Sequence, residues 1–116
     1  MKRQLAEQRG REGETRAALW LQAKGWSVLA RRVKTPRGEI DLVARRGGVV
    51  AFVEVKWRKS AAELDYAIDE YRLSRVAAAV EAVAHEYAGE GEDIRIDVLL
   101  LAPGGFPRHI VNAWQP

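Results

Sequence analysis

The chain has 116 residues, 47% of them hydrophobic, which is enough for one core without metal or disulfide staples. It contains no cysteine, which excludes a disulfide framework and a thiolate zinc site. No run of about 18 apolar residues occurs and the start "MKRQLAEQRGREGE" has no signal-peptide core, so a single cytoplasmic domain over residues 1–116 with no membrane contact is expected.

The net charge of +3 says little, but its distribution says more. Residues 1–59 hold 15 Lys and Arg against 6 Asp and Glu, a balance of +9, and residues 60–116 hold 4 against 10, a balance of −6. A basic half beside an acidic half predicts a face for a polyanion, with Arg11, Lys34, Arg37 and Arg58 among its candidate contacts.

In "GETRAALWLQAKG", Glu14, Ala17, Ala18 and Leu21 share one face of a helix that Gly25 stops. "WSVLARRV" reads as a strand and "TPRG" as a turn. "EIDLVAR" and "VVAFVEVKW" form a hairpin across Gly47 and Gly48. From about residue 64 to 87 the pattern is helical, with Ile68, Val76, Val80, Val83 and Tyr87 near helical spacing and Gly89 and Gly91 beyond its end. "DIRIDVLLLA" is a further strand, and "RHIVNAW" reads as an edge strand after "PGGFP". The order α, β, β, β, α, β, β predicts an α/β domain with a mixed β-sheet flanked by helices. The second and third strands are antiparallel, and a parallel crossover to the fourth is permitted.

The diglycine turn predicts a register in which paired residues sum to 95 along the whole ladder, so Asp41 lies opposite Glu54 and Glu39 opposite Lys56. Alternation then puts Glu39, Asp41, Glu54 and Lys56 on one face and Ile40, Leu42, Val53 and Val55 on the other. Two readings stay open. A solvated polar face in which Lys56 pairs with Glu39 accounts for those two residues; the opposed Asp41 and Glu54 require a proton or a cation between them, and carboxylate oxygens suit Mg²⁺ or Mn²⁺.

Asp41 followed by Glu54-Val55-Lys56 across a hairpin resembles the short signature of the PD-(D/E)XK nucleases. The stretch "GREGETRAALWLQAKGWSVLARRVKTPRGEIDLVARRGGVVAFVEVKWRKS" is similar to the YraN family, predicted endonucleases related to archaeal Holliday junction resolvases. The resemblance runs from about residue 10 to about 101 and implies a restriction-endonuclease-like fold. It also implies Mg²⁺-dependent or Mn²⁺-dependent hydrolysis of phosphodiester bonds in DNA, with branched or structured DNA as candidate substrates. Glu14, Asp41, Glu54 and Lys56 are the implied catalytic set, with Asp41, Glu54 and the Val55 carbonyl on the metal, Lys56 positioning the attacking water, and Glu39 beside them in "GEIDL". Arg72 stands where the family commonly shows a lysine; it keeps the charge but changes its geometry, and it joins the candidate nucleic-acid contacts. The alternative is a nucleic-acid-binding or partner-binding module that keeps the fold without turnover.

Asp97 is expected to support a site residue from behind, or to form an ion pair with Arg95 or a neighbour, rather than take part in catalysis. His85 and His109, with no partner at ligand spacing, are expected in surface or packing roles. Trp20 and Trp26 are expected in or beside the core and Trp57 in edge packing. The run "RVAAAVEAVA" fits close packing on the sheet or the interface of a homodimer.

Overall fold

A computed structural model describes residues 2–57 and 69–114, with side chains from residue 11 onward. The elements are α1 (Lys2–Ala23), β1 (Ser27–Thr35), β2 (Gly38–Arg46), β3 (Val49–Trp57), α2 (Glu70–Tyr87), β4 (Asp93–Leu101) and β5 (Arg108–Ile110). Their sequence is the expected αβββαββ, in one five-stranded mixed sheet ordered β1-β2-β3-β4-β5. The β3 to β4 pair is parallel; the β1/β2, β2/β3 and β4/β5 pairs are antiparallel. Among the described residues no helix is long and apolar enough to cross a membrane.

Each face of the sheet buries one helix. Val43, Val50, Phe52, Ile96, Val98 and Leu100 pack under Leu73, Val76, Ala79, Val80 and Val83 of α2, so the alanine run brings its helix close to the strands. On the opposite face Leu42, Ala44, Ala51, Val53, Leu99 and Leu101 pack under Ala17, Ala18 and Leu21 of α1. At the end of α1 the Trp26 N–H reaches the Leu21 carbonyl and the Gly25 N–H the Gln22 carbonyl, each at 3.0 Å. This Schellman motif needs the left-handed Gly25, φ +91°, and brings Trp26 onto Leu21. Asp69 caps α2, its side chain accepting the Tyr71 N–H at 2.9 Å. The expected residues 58–68, including Arg58 and Ile68, lie outside the described residues.

The β2/β3 ladder follows the predicted register for five pairs, from Arg46 opposite Val49 to Leu42 opposite Val53, and stops there. The expected pairs Asp41 with Glu54 and Glu39 with Lys56 do not form. Where the next pair would lie, the Asp41 carboxylate accepts the Val55 N–H at 2.8 Å. The face assignment also changes: Ile40 packs under α2 with Val43, whereas Leu42 packs under α1, so these two do not share a face as alternation required. The change coincides with an irregularity in β1. Arg31 pairs with Leu42 and Val33 with Ile40, and between them Arg32 is left-handed, φ +51°, a conformation L residues rarely adopt. This turns two consecutive side chains, Arg31 and Arg32, toward α1.

Asp97 on β4 is fully buried and bound four times: by Arg95 Nε and Nη2 at 2.9 and 2.8 Å, by His109 Nε2 at 2.8 Å and by the Asn112 N–H at 2.9 Å. The expected pair with Arg95 is present, and His109, expected in an ordinary role, ties β5 to β4 while Trp20 meets its ring edge-on. Burial alone would raise the Asp97 carboxyl, but His109, Arg95 and the Asn112 amide outweigh it and hold the group down at about 2. A carboxyl lowered on folding stabilises the protein above its ordinary value of 3.8 and loses that contribution as pH falls toward about 2. Asp97→Asn is therefore expected to cost about 3 kcal/mol at pH 7 by leaving Arg95 with an unpaired charge. In urea unfolding the gap to wild type should narrow between pH 4 and 2; a gap independent of pH would refute the ion-pair account.

Candidate functional site

The loss of pairing between Asp41 and Glu54 opens the sheet at the end of the hairpin. A cavity of about 510 Å³ lies there, lined by Gly38, Glu39, Asp41 and Glu54 from the strands and by Asp69, Tyr71, Arg72, Arg75 and Val76 at the start of α2. Asp41 and Glu54, predicted side by side, thus face one space. Glu54 and Lys56 alternate to the same face of β3, and both are buried. Lys56 Nζ lies 3.3 Å from Glu54 Oε1, so the lysine bonds its neighbour along the strand. The ladder that would have carried it to Glu39 has already ended. Arg72 Nε donates to that same Glu54 oxygen at 2.9 Å.

Glu14 comes from the other side of the sheet. It shares the buried face of α1 with Ala17, Ala18 and Leu21, as its spacing predicts. Its Oε2 accepts from Arg32 Nε at 2.6 Å. One oxygen each of Glu14, Glu39 and Asp41 lie within 4.8 Å of one another, close enough for a single cation to touch all three. Glu39, expected beside the site, is an exposed member of this group. Val55, expected to offer its carbonyl, reaches the site through its N–H on Asp41.

The electrostatics follow from this crowding. Burial raises the Asp41 carboxyl most, and the charges of Glu54 and Glu14 add to it. The Val55 N–H and Arg72 oppose them, and the group stands at about 7 rather than 3.8. Arg32 is pushed further up by its bond to Glu14 and by the nearby Glu39 and Asp41. Arg32 and Arg75 had no sequence signal of their own. Arg32 is one arginine among many in the first half, and only the fold places it by Glu14.

Of the proposed polyanion contacts, Arg72 sits at the cavity, together with Arg75. Arg37, in the turn between β1 and β2, lies 3.4 Å from Glu81 of α2. Lys34 is exposed on β1 opposite Glu39, and Arg11 is exposed on α1. Trp57 packs against the α1 core, as expected, with the Arg16 guanidinium 5.3 Å from its ring centroid.

A sequence model of the Uncharacterised protein family UPF0102 matches residues 13–101. A UPF0102 protein of Erythrobacter litoralis (strain HTCC2594) is 80% identical over 116 residues, covering all of both chains. One from Sphingopyxis alaskensis is 60% identical over the same span. UPF0102 protein amb4503 of Paramagnetospirillum magneticum is 48% identical over 122 residues, covering 97% of this chain and 91% of its own.

The raised Asp41 carboxyl has a measurable sign. Between its ordinary value of 3.8 and about 7 the folded state holds a proton that the unfolded chain has released, so this group costs stability as pH rises through that window and no more above it. Asp41→Asn keeps an oxygen for the Val55 N–H and removes the charge. It is expected to raise stability by on the order of 2 kcal/mol at pH 8 and by much less at pH 4.5. Urea unfolding at both pH values checks this, and an equal gain at the two would count against the proton.

Proposed function

The chain belongs to the UPF0102 family, also known as the YraN family, and we propose that it is a Mg²⁺-dependent or Mn²⁺-dependent nuclease that hydrolyses phosphodiester bonds in DNA. The observation that carries this reading is the meeting of Glu14, Glu39 and Asp41 oxygens within 4.8 Å, at a cavity that Glu54, Arg72 and Arg75 also line. An all-carboxylate donor set fits a hard divalent ion, and it is a poor arrangement for a surface meant only to hold phosphate, which it repels. When bound, such an ion supplies Lewis-acid polarisation of the phosphodiester and lowers the pKa of its own water.

The chain's residues do the rest. Asp41, oriented by the Val55 N–H, and Glu14, paired with Arg32 in the metal-free protein, would present oxygens to the ion, with Glu39 completing the group and Glu54 facing the same cavity as a further ligand. Lys56, charged and aligned by Glu54, positions the attacking water and offsets negative charge as the phosphorus gains a fifth oxygen. Arg72 and Arg75 on the cavity wall face the flanking phosphates, and Arg11, Lys34 and Arg37 extend the basic surface. Branched or structured DNA is the preferred substrate in this reading.

A binding module without turnover is the second reading, favoured by one observation: Glu54 already has Lys56 and Arg72 on the same oxygen.

The two readings separate in a single set of measurements. Glu54→Gln preserves volume, and is expected to abolish cleavage and weaken the thermal stabilisation given by Mg²⁺ or Mn²⁺. Lys56→Ala is expected to retain that stabilisation while cleavage falls by a factor on the order of 10² or more. Linear, flapped and four-way DNA are the substrates. Wild type that shows neither metal-linked stabilisation nor cleavage of any of them leaves the binding module.

Affinity for DNA should itself fall steeply with salt as phosphate contacts release counterions. Filter-binding between about 50 and 200 mM KCl checks this, and constant affinity would remove the phosphate-tracking surface.

A further inference from the structure

The acidic cluster is held at both ends by guanidinium groups. On the α1 side Arg32 Nε donates to Glu14 Oε2 at 2.6 Å, and on the α2 side Arg72 Nε donates to Glu54 Oε1 at 2.9 Å. The charges nearly balance: Glu14, Glu39, Asp41 and Glu54 are four carboxylates, and Arg32, Lys56 and Arg72 are three cations. A divalent ion entering among these oxygens meets positive groups already on two of the four acids.

The manner of attachment sets these two arginines apart. Each uses Nε alone on its carboxylate, and among the described residues its two terminal nitrogens have no other partner. Arg45 and Arg95 instead grip Glu92 and Asp97 with two nitrogens each. A two-nitrogen fork is the firmer arrangement. The Arg32 and Arg72 side chains are also 38% and 59% exposed, so water is at hand to solvate a guanidinium that lets go. Arg32 does this from a left-handed backbone, φ +51°, which glycine would adopt with less strain but without a cation to offer.

We propose that Arg32 and Arg72 are built-in counter-ions which a divalent metal displaces: they neutralise Glu14 and Glu54 in the metal-free protein and release those carboxylates when the ion binds. This rests on the metal-dependent reading above. It explains how Glu54, apart from the three-acid group and doubly occupied, becomes available to a metal, and why four acids can share one small space without an ion.

The test follows the arginine Nε–Hε signals of ¹⁵N-labelled wild-type protein by NMR as Mg²⁺ is added, with thermal unfolding on the same samples. The Arg32 and Arg72 signals are expected to shift and to exchange faster with water, while those of Arg45 and Arg95 stay in place. A second arm measures Mn²⁺ binding by calorimetry. Arg72→Gln, at an exposed side chain, and Arg32→Gln are each expected to tighten it by roughly 2- to 5-fold, the scale of one weak ion pair. The gain should persist at about 0.5 M KCl, where long-range repulsion is screened, and Arg46→Gln, at the far end of β2 beside Lys24 and Trp26, should show none. If Mg²⁺ raises the unfolding temperature of wild type but not of Asp41→Asn, and the Arg32 and Arg72 signals do not move, the counter-ion inference fails and the metal site stands. Unchanged or weaker Mn²⁺ binding in both glutamine variants overturns it as well. No stabilisation of wild type by either ion removes the metal reading, and this inference with it.

Discussion

One hydrogen bond decides the shape of the site. The Asp41 carboxylate accepts the Val55 N–H at 2.8 Å, where the ladder between β2 and β3 would otherwise place a backbone carbonyl. A sheet that continued regularly would hold Asp41 and Glu54 at the close spacing of a cross-strand pair, where like charges repel. By taking the amide itself, Asp41 ends the pairing, satisfies an N–H that the parting strands would leave without its strand partner, and opens the space that α2 then roofs. The left-handed Arg32 on the neighbouring strand is the counterpart of this break, since the pairs on either side of it flank Asp41.

The two Asp residues of the interior show how completely local donors set the behaviour of a carboxyl. Asp97 is the more buried, yet it stands at about 2, because a guanidinium fork, an imidazole and an amide all point at it. Asp41 stands at about 7, because one amide and a more distant arginine are set against burial and two other acids. The first arrangement is satisfied and locks β5 against β4. The second keeps negative charge in surplus, which is the condition for taking up a cation or a proton.

Much of this was legible in the residues. The diglycine turn carried the register through five pairs because both strands there are regular and the β3 partner residues, Val49 to Val53, are apolar on both faces. The helical spacing of Glu14, Ala17, Ala18 and Leu21 placed an acid beside the core, and the helix between β3 and β4 accounted for the parallel pair. Prediction ended where side chains replace backbone as hydrogen-bonding partners. Alternation put Ile40 and Leu42 on one face because a period of two assumes extended residues throughout, and nothing in "LARRV" marks Arg32 as left-handed. Lys56 was given to Glu39 for the same reason: the rule of opposed residues holds only inside a ladder.

The division of charge along the chain takes a different meaning once folded. Arg37 meets Glu81 and Arg45 meets Glu92, so acids of the second half neutralise arginines of the first across the face that α2 covers. At the cavity the exchange runs the other way, as Arg72 from the second half answers Glu54 from the first. The basic surplus of residues 1–59 therefore does not transfer whole to one polyanion surface. A nucleic acid drawn to this protein would be attracted by arginines at the cavity mouth, Arg72 and Arg75, only as far as the carboxylates behind them are neutralised. Attraction of the polyanion and neutralisation of the acids are then a single electrostatic problem, and a cation among the acids would relieve the repulsion that the acids alone impose on a phosphate.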